Sequence, residues 1–235
     1  MADAVNPRNA QIDGNVVAAK SFAHFGVTHM FGVVGIPVTS LANRAVALGI
    51  RFIAFHNEQS AGYAASAYGY LTGKPGLLLT VSGPGCVHGL AGLSNAMVNT
   101  WPMVMISGSC DQKDFGRGDF QELDQIEAVK PFSKFAVKAK DIKDIPNCVA
   151  QVLERAVSGR PGGCYLDLPT DVLHQTISES EVEELLKSAE SHESEVSIGL
   201  TPKTSEIEQA VSLLREAKKP LIRVWERSSL CASRG

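Results

Sequence analysis

The chain has 235 residues, 44% of them hydrophobic and 20% charged, with 22 basic against 25 acidic side chains and a net charge of −3. That composition can build a globular core and excludes the disordered and fibrous classes, and no long basic run marks a nucleic-acid or anionic-membrane partner. No apolar run reaches the roughly 18 residues that a membrane-crossing helix needs, and M-A-D-A-V-N-P-R-N lacks the basic and apolar regions of a secretory leader. The cysteines Cys86, Cys110, Cys148, Cys164 and Cys231 are odd in number and show no C-x-x-C spacing. They read as reduced, mostly buried thiols of an intracellular protein.

Ile12, Val16, Ala19, Phe22 and Phe25 fall on helical spacing, and Gly26 suits the position that ends the helix. An apolar strand over 27–34 breaks at Gly35-Ile36-Pro37. A helix over 39–48, closed by Gly49, leads to a strand over 51–55 and then to an Ala-rich helix over 58–71 that ends at Gly73. The apolar run 76–81 stops at Ser82-Gly83-Pro84-Gly85, and a small-residue helix over 87–98 leads to a strand over 102–107. Residues 108–120, rich in charge and glycine, read as a loop. Val149, Val152, Leu153 and Ala156 form a helical stripe ending at Gly159, and Cys164 to Pro169 reads as the last strand. Strands apolar on both faces and separated by helices predict an α/β fold, a doubly wound parallel sheet covered on both sides. Such a sheet binds ligands at the carboxyl ends of its strands. Gly35-Ile36-Pro37, His56-Asn57-Glu58 and Gly83-Pro84-Gly85 all occupy those turns.

The composition changes after Val172, and 178–195 is dense in Glu and Ser. The chain therefore divides into a first domain over 1–175, an acidic linker over 176–202 and the truncated start of a second α/β domain over 203–235. Ser205-x-x-Glu208 reads as a capping box ahead of Ile207, Ala210, Val211 and Leu214, with a strand-like Leu221-Ile222 after it.

Familiar sites are missing: there is no P-loop, no G-x-S-x-G elbow and no zinc spacing, and Gly83-x-Gly85-x-x-x-Gly89 misses the dinucleotide fingerprint by one residue. Glu58 is the carboxylate in an unusual position, opening a helix just after a strand. It can serve the helix dipole alone. Beside glycine-lined loops it can also meet a planar heteroaromatic ring with a basic nitrogen.

G-V-V-G-I-P-V, F-H-N-E-Q-S-A-G-Y-A-A, V-S-G-P-G, F-Q-E and S-G-R-P-G-G-C-Y-L-D-L-P-T-D-V occur in that order. Together they resemble the pyrimidine-binding domain of thiamine-diphosphate-dependent enzymes, most nearly the 2-hydroxyacyl-CoA lyase and oxalyl-CoA decarboxylase branch. Acetohydroxyacid synthase is a more distant likeness. The resemblance runs from about Ile12 to Val172 and resumes weakly over 201–222. It implies that Glu58 hydrogen-bonds N1′ of the cofactor's aminopyrimidine and so favours the imino tautomer that deprotonates the thiazolium carbon. It implies carbon–carbon cleavage of a 2-hydroxyacyl-CoA to an aldehyde and formyl-CoA, a step of fatty acid α-oxidation.

Gly35, Ile36, Pro37, Gly83, Pro84, Gly85 and His88 are then expected to line the cofactor. A buried, hydrogen-bonded histidine at a helix start is the plainer reading of His88, and His56 and Asn57 position Glu58. Gln121, within Phe120-Gln121-Glu122, matches the lyases, whereas oxalyl-CoA decarboxylases show Y-E-E there. Gln121 is thus expected to touch substrate, the alternative being a solvated loop residue.

The resemblance also implies Mg²⁺ held by a diphosphate-binding domain whose G-D-G…N ligands this chain lacks. It further implies a homo-oligomer with the active site between subunits, and a peroxisomal location. Ser233-Arg234-Gly235 is not an S-K-L-like address, so the chain's own sequence reads as cytosolic. Alone, the chain is expected to be inactive, or to act as a non-catalytic partner of full-length subunits. Its last residues carry Arg223, Glu226 and Arg227 where the relatives resemble V-F-G-K-G-A. One choice of codons for 223–235, read one base later, encodes V-F-G-K-G-A-L-Y-A-Q-A-E, which points to a change of frame.

Overall fold

The computed structural model describes residues 10–196 and 203–221. They fall into two compact units divided between Ser197 and Ile198. In the first unit, a six-stranded parallel sheet runs in the order β3-β2-β4-β5-β7-β6. Its strands are β2 (His29–Gly32), β3 (Arg51–Ala54), β4 (Gly76–Thr80), β5 (Met103–Ser109), β6 (Phe135–Lys138) and β7 (Gly163–Pro169). The doubly wound parallel sheet expected from the sequence is present.

Its central strands alternate between two cores. Leu77, Leu79, Val104, Ile106, Cys164, Leu166 and Leu168 face one side. There they meet α1 (Gly14–His24), α2 (Thr39–Ala47), α6 (Ile145–Val157) and α8 (Glu179–Val196). Leu78, Met103, Met105 and Tyr165 face the other, against α3 (Glu58–Thr72), α4 (Pro84–Asn99) and α5 (Gln125–Val129). Every residue of β4, β5 and β7 is buried, and the period of two along each strand is what fills both layers.

Helices α3 and α4 approach at their glycines. A Cβ on Gly92 would stand 2.4 Å from Cα of Gly62, closer than any side chain could sit. The two helices that open at the carboxyl edge are thereby drawn together along their backbones.

Several elements differ from the sequence reading. The first helix begins at Gly14, not Ile12, because Asp13 caps it by accepting from Val16 N at 2.9 Å. Gln11–Asp13 forms β1 instead, antiparallel to β8 (Thr176–Ser178). α4 starts at Pro84 rather than near 87, since proline tolerates the first helical turn. Within the segment read as an acidic linker over 176–202, β8 pairs with β1 and α8 buries Val182, Leu186 and Ala189. Lys20 of α1 pairs with Glu179, and Lys143 before α6 with Glu181 at 2.6 Å, so part of the acidic charge is paired within the first unit. The sequence reading also passes over β6, α5 and α7 (Thr170–His174).

In the second unit, α9 (Thr204–Glu216) starts one residue before Ser205, and Glu206 rather than Glu208 folds back to accept from Lys203 N at 3.4 Å. The expected change of frame concerns 223–235, which lie outside the described residues. No helix among the described residues is long and apolar enough to cross a membrane.

Candidate functional site at the carboxyl edge of the sheet

Asn57, in extended conformation, caps α3 by accepting from Ser60 N at 3.1 Å, and so sets Glu58 at the first helical position. The Glu58 side chain is only 13% exposed. Its two oxygens face different neighbours. Oε2 lies 3.3 Å from Nδ1 of His88, whereas Oε1 faces Gly85, where an added Cβ would stand 3.6 Å away. That Cβ would also meet Cγ2 of Val81 at 2.5 Å, and one on Gly35 would meet Cγ1 of the same valine at 2.7 Å. Val81 therefore separates two bare glycine surfaces, one of them directly against the carboxyl.

The structure thus brings Glu58, Gly85 and His88 into one group, with Gly35 joined through Val81. His88 departs from its plainer reading: its side chain is 57% exposed, and its partner is Glu58. Ile36, joined to Pro37 by a cis peptide bond, is 72% exposed. The ring of Pro37 leaves no room for a side chain at position 108, since a Cβ on Gly108 would lie 2.5 Å from it. His56 is exposed.

The segment 111–125 closes the far side of the Gly83 turn. Gln121 has a left-handed backbone (φ 56°), a conformation uncommon for a side-chain-bearing residue. Its Oε1 accepts from Ser82 Oγ at 2.9 Å, and its carbonyl oxygen would lie 2.6 Å from a Cβ on Gly83 (φ 55°), so only glycine fits there. The amide nitrogen of Gln121 is then the end that can donate. Glu122 builds the loop before it, accepting from the backbone N–H groups of Gly116 (2.9 Å), Gly118 (3.0 Å) and Asp119 (3.1 Å). Those donors, Asp119 first, hold its carboxyl below the usual range.

Sequence reasoning misses two buried polar residues beneath this edge. Gln125 is 1% exposed and Asp167 fully buried. Burial pushes the Asp167 carboxyl up, against the opposing effects of Lys138, Ser109 and Gln125. Gln125 lies outside the quoted motifs, and Asp167, although within C-Y-L-D-L-P, is given no role by them. The signal available was a polar side chain inside an otherwise apolar strand, Leu166-Asp167-Leu168. A cavity of about 450 Å³ opens at the opposite, amino edge of the sheet, between Phe25, His29, Tyr68, Lys74 and Glu154. It shares no residue with the Glu58 group.

Residues 13–128 match the thiamine pyrophosphate enzyme N-terminal TPP binding domain. The chain belongs to the thiamine pyrophosphate enzyme family. It is 75% identical over 222 residues to the 2-hydroxyacyl-CoA lyase of Arabidopsis thaliana, covering 94% of this chain and 39% of that protein. It is 62% identical over 224 residues to the 2-hydroxyacyl-CoA lyase of Oryza sativa subsp. japonica, covering the same shares. Oxalyl-CoA decarboxylase of Escherichia coli K12 is 45% identical over 212 residues, covering 89% of this chain and 37% of that protein. The chain therefore spans about two fifths of the length of these relatives. The matched span of the thiamine pyrophosphate enzyme domain contains Glu58, Gly85, His88 and Gln121, and ends just beyond Gln125.

Proposed function

We propose that this chain is the pyrimidine-binding part of a thiamine-diphosphate-dependent 2-hydroxyacyl-CoA lyase, with Glu58 as the carboxyl that meets the aminopyrimidine ring. The observation that carries the reading is the placement of Glu58 Oε1 against the bare backbone of Gly85. A flat ring needs such a surface, because any side chain at Gly85 would fill it. When bound, the cofactor supplies the electron sink for carbon–carbon cleavage. The protein's own part is to hold a proton between Glu58 Oε1 and a ring nitrogen. His88, at Oε2, can donate to the same carboxyl and fix its orientation. Val81, against both Gly35 and Gly85, gives that site an apolar flank.

Gln121, tied to Ser82 through Oε1, turns its NH₂ outward as a donor for an acyl or hydroxyl oxygen. Gln121 within Phe120-Gln121-Glu122 resembles the lyases, whereas oxalyl-CoA decarboxylases resemble Y-E-E there, and this supports a 2-hydroxyacyl-CoA over oxalyl-CoA. Among the described residues no group of three or more His, Cys, Asp or Glu could hold a metal ion, and no step is assigned to Mg²⁺. A homo-oligomer, with the diphosphate end of the cofactor held by a partner subunit, is part of this proposal, as is a peroxisomal setting. The pyrimidine-binding domain, read from the sequence as 1–175, is proposed to take in β8 and α8 as well, with 203–235 as the start of the next.

The test is turnover by the full-length enzyme of 2-hydroxyacyl-CoA against oxalyl-CoA at equal concentration. Faster release of formyl-CoA and aldehyde from the hydroxyacyl substrate is expected. Preferential decarboxylation of oxalyl-CoA would move the chain to the decarboxylase branch.

A further inference from the structure

Gln125 opens α5 behind the cap of Asp124, whose side chain accepts from Glu127 N at 3.1 Å. Its amide is buried in a polar pocket of the sheet's carboxyl edge. Oε1 accepts from Gly83 N at 2.8 Å. Nε2 donates to the Gly108 carbonyl at 2.9 Å and to the Tyr165 hydroxyl at 2.9 Å, with Asp167 Oδ2 a third acceptor at 3.4 Å.

That arrangement admits one orientation of the amide. A flipped side chain would point NH₂ at the Gly83 N–H and oxygen at the Gly108 carbonyl, leaving like poles opposed without water to relieve them. Each of these partners is itself fixed. Tyr165 is fully buried and takes a second contact from Cys86 Sγ at 3.8 Å. Asp167 accepts from Ser109 Oγ and lies 3.9 Å from Lys138 Nζ. Gly108 sits beneath Pro37. One side chain therefore ties the Gly83 turn to β5, to β7 and, through Gly108, to the Pro37 turn.

The Gly83 turn carries Gly85, the surface that Glu58 Oε1 faces. We propose that Gln125 is a positioning residue: through Gly83 N it sets where Gly85 stands relative to Glu58, and hence the width of the slot for the aminopyrimidine ring. The inference rests on the cofactor reading above for what enters the slot, and on the hydrogen bonds alone for what sets it. Gln121 restrains the same turn from its outer side, through Ser82 and by the close approach of its carbonyl to Gly83. It cannot replace the inner tie, because the Gly83 N–H is directed at Gln125.

The test uses the 235-residue chain, ¹⁵N-labelled, with 4-amino-2,5-dimethylpyrimidine as probe. In Gln125→Met, which keeps length and apolar volume but supplies neither hydrogen-bonding end, the amide resonances of Gly83 and Gly85 move and the Gly83 N–H exchanges faster. The dissociation constant for the probe rises about tenfold in the folded protein, the loss of roughly one hydrogen bond's discrimination. The Gly83 resonance moves in either case, since its acceptor is lost; a side chain that served stability alone would lower the melting temperature and leave the Gly85 resonance and that constant where they are, and this result overturns the proposal.

If Gln125→Met does not fold, Gln125→Glu decides. Its carboxyl accepts from Gly83 N, and donates to Gly108 only when protonated. The charged groups facing it are Asp167, with Lys138 beyond it, and the adjacent Asp124; Tyr165 and Cys86 are the other titratable neighbours. Probe affinity relative to wild type at the same pH should fall from pH 5 to pH 9, and a ratio constant across that range overturns the proposal. Should the wild-type chain fail to bind the probe at all, the cofactor reading fails, and the Gly85 resonance alone judges Gln125.

Discussion

Replacing Gly92 by alanine sets two well-measured effects against each other. Alanine is the better helix former by about 0.8–1 kcal/mol, so propensity alone predicts a more stable protein. Packing predicts the reverse. The added Cβ would lie 2.4 Å from Cα, 2.6 Å from C and 3.0 Å from O of Gly62, all of them backbone that cannot rotate aside. Overpacking of a close-packed interior typically costs about 1–3 kcal/mol, and a clash with backbone on both helices belongs at the upper end. The balance is a net loss of about 2 kcal/mol, which for a chain of this size lowers the melting temperature by about 4–8 °C. Thermal unfolding followed by circular dichroism reads it directly. Because α3 begins at Glu58 and α4 carries Gly85, the separation also spreads the candidate site, and weaker binding of an aminopyrimidine should accompany the lower midpoint. A melting temperature equal to or above that of wild type would show that α3 and α4 do not meet through these glycines.

Three further outcomes are expected. In the full-length enzyme, Glu58→Gln should abolish exchange of the thiamine diphosphate C2 proton, since an amide cannot share a proton with the ring nitrogen; exchange at the wild-type rate would remove Glu58 from its proposed role. The Glu122 carboxyl, held below its ordinary value when folded, orders the 116–119 backbone fully above the unfolded pKa. It loses that contribution as pH falls through the folded one. Amide exchange at Gly116, Gly118 and Asp119 should therefore accelerate in acid, and in Glu122→Gln already at neutral pH; protection independent of both would refute it. Burial pushes the thiols of Cys86 up to about 11 and of Cys148 and Cys164 to about 12; burial raises Cys110 as well, but it is 7% exposed against 2% or less for the other three. At pH 8 iodoacetamide should label Cys110 before those three in the folded protein, as read by peptide mass.

The parallel sheet was legible because its central strands are buried on both faces, which forces continuous apolar runs such as Leu77-Leu78-Leu79 and Met103 to Ile106. Glu58 was legible as a carboxylate in a strand-to-helix turn, and the family motifs gave it a partner ring. β6 was not, because an edge strand half-exposed along its length needs no such run. α8 was missed because composition outweighed spacing. Val182, Leu186 and Ala189 lie at i, i+4 and i+7 among glutamates, and only those three needed to be apolar for one face to bury. Gln125 left no trace in periodicity or motif. Its significance comes from four partners spread over positions 83, 108, 165 and 167, which only the folded chain collects.

The short ladder between β1 and β8 carries a consequence for how the first unit is made. Gln11 lies opposite Ser178 and Asp13 opposite Thr176, so three residue pairs close a loop that encloses every strand of the parallel sheet. During synthesis the strand at 11–13 must wait, without its partner, until 176–178 leaves the ribosome. Contacts of such sequence separation form late and govern the rate at which the fold is completed. Once they form, the first strand of the unit is held beside the segment that leads into α8. The Glu58 slot thus lies inside a loop closed by backbone pairing, and α8 continues the same unit beyond that closure.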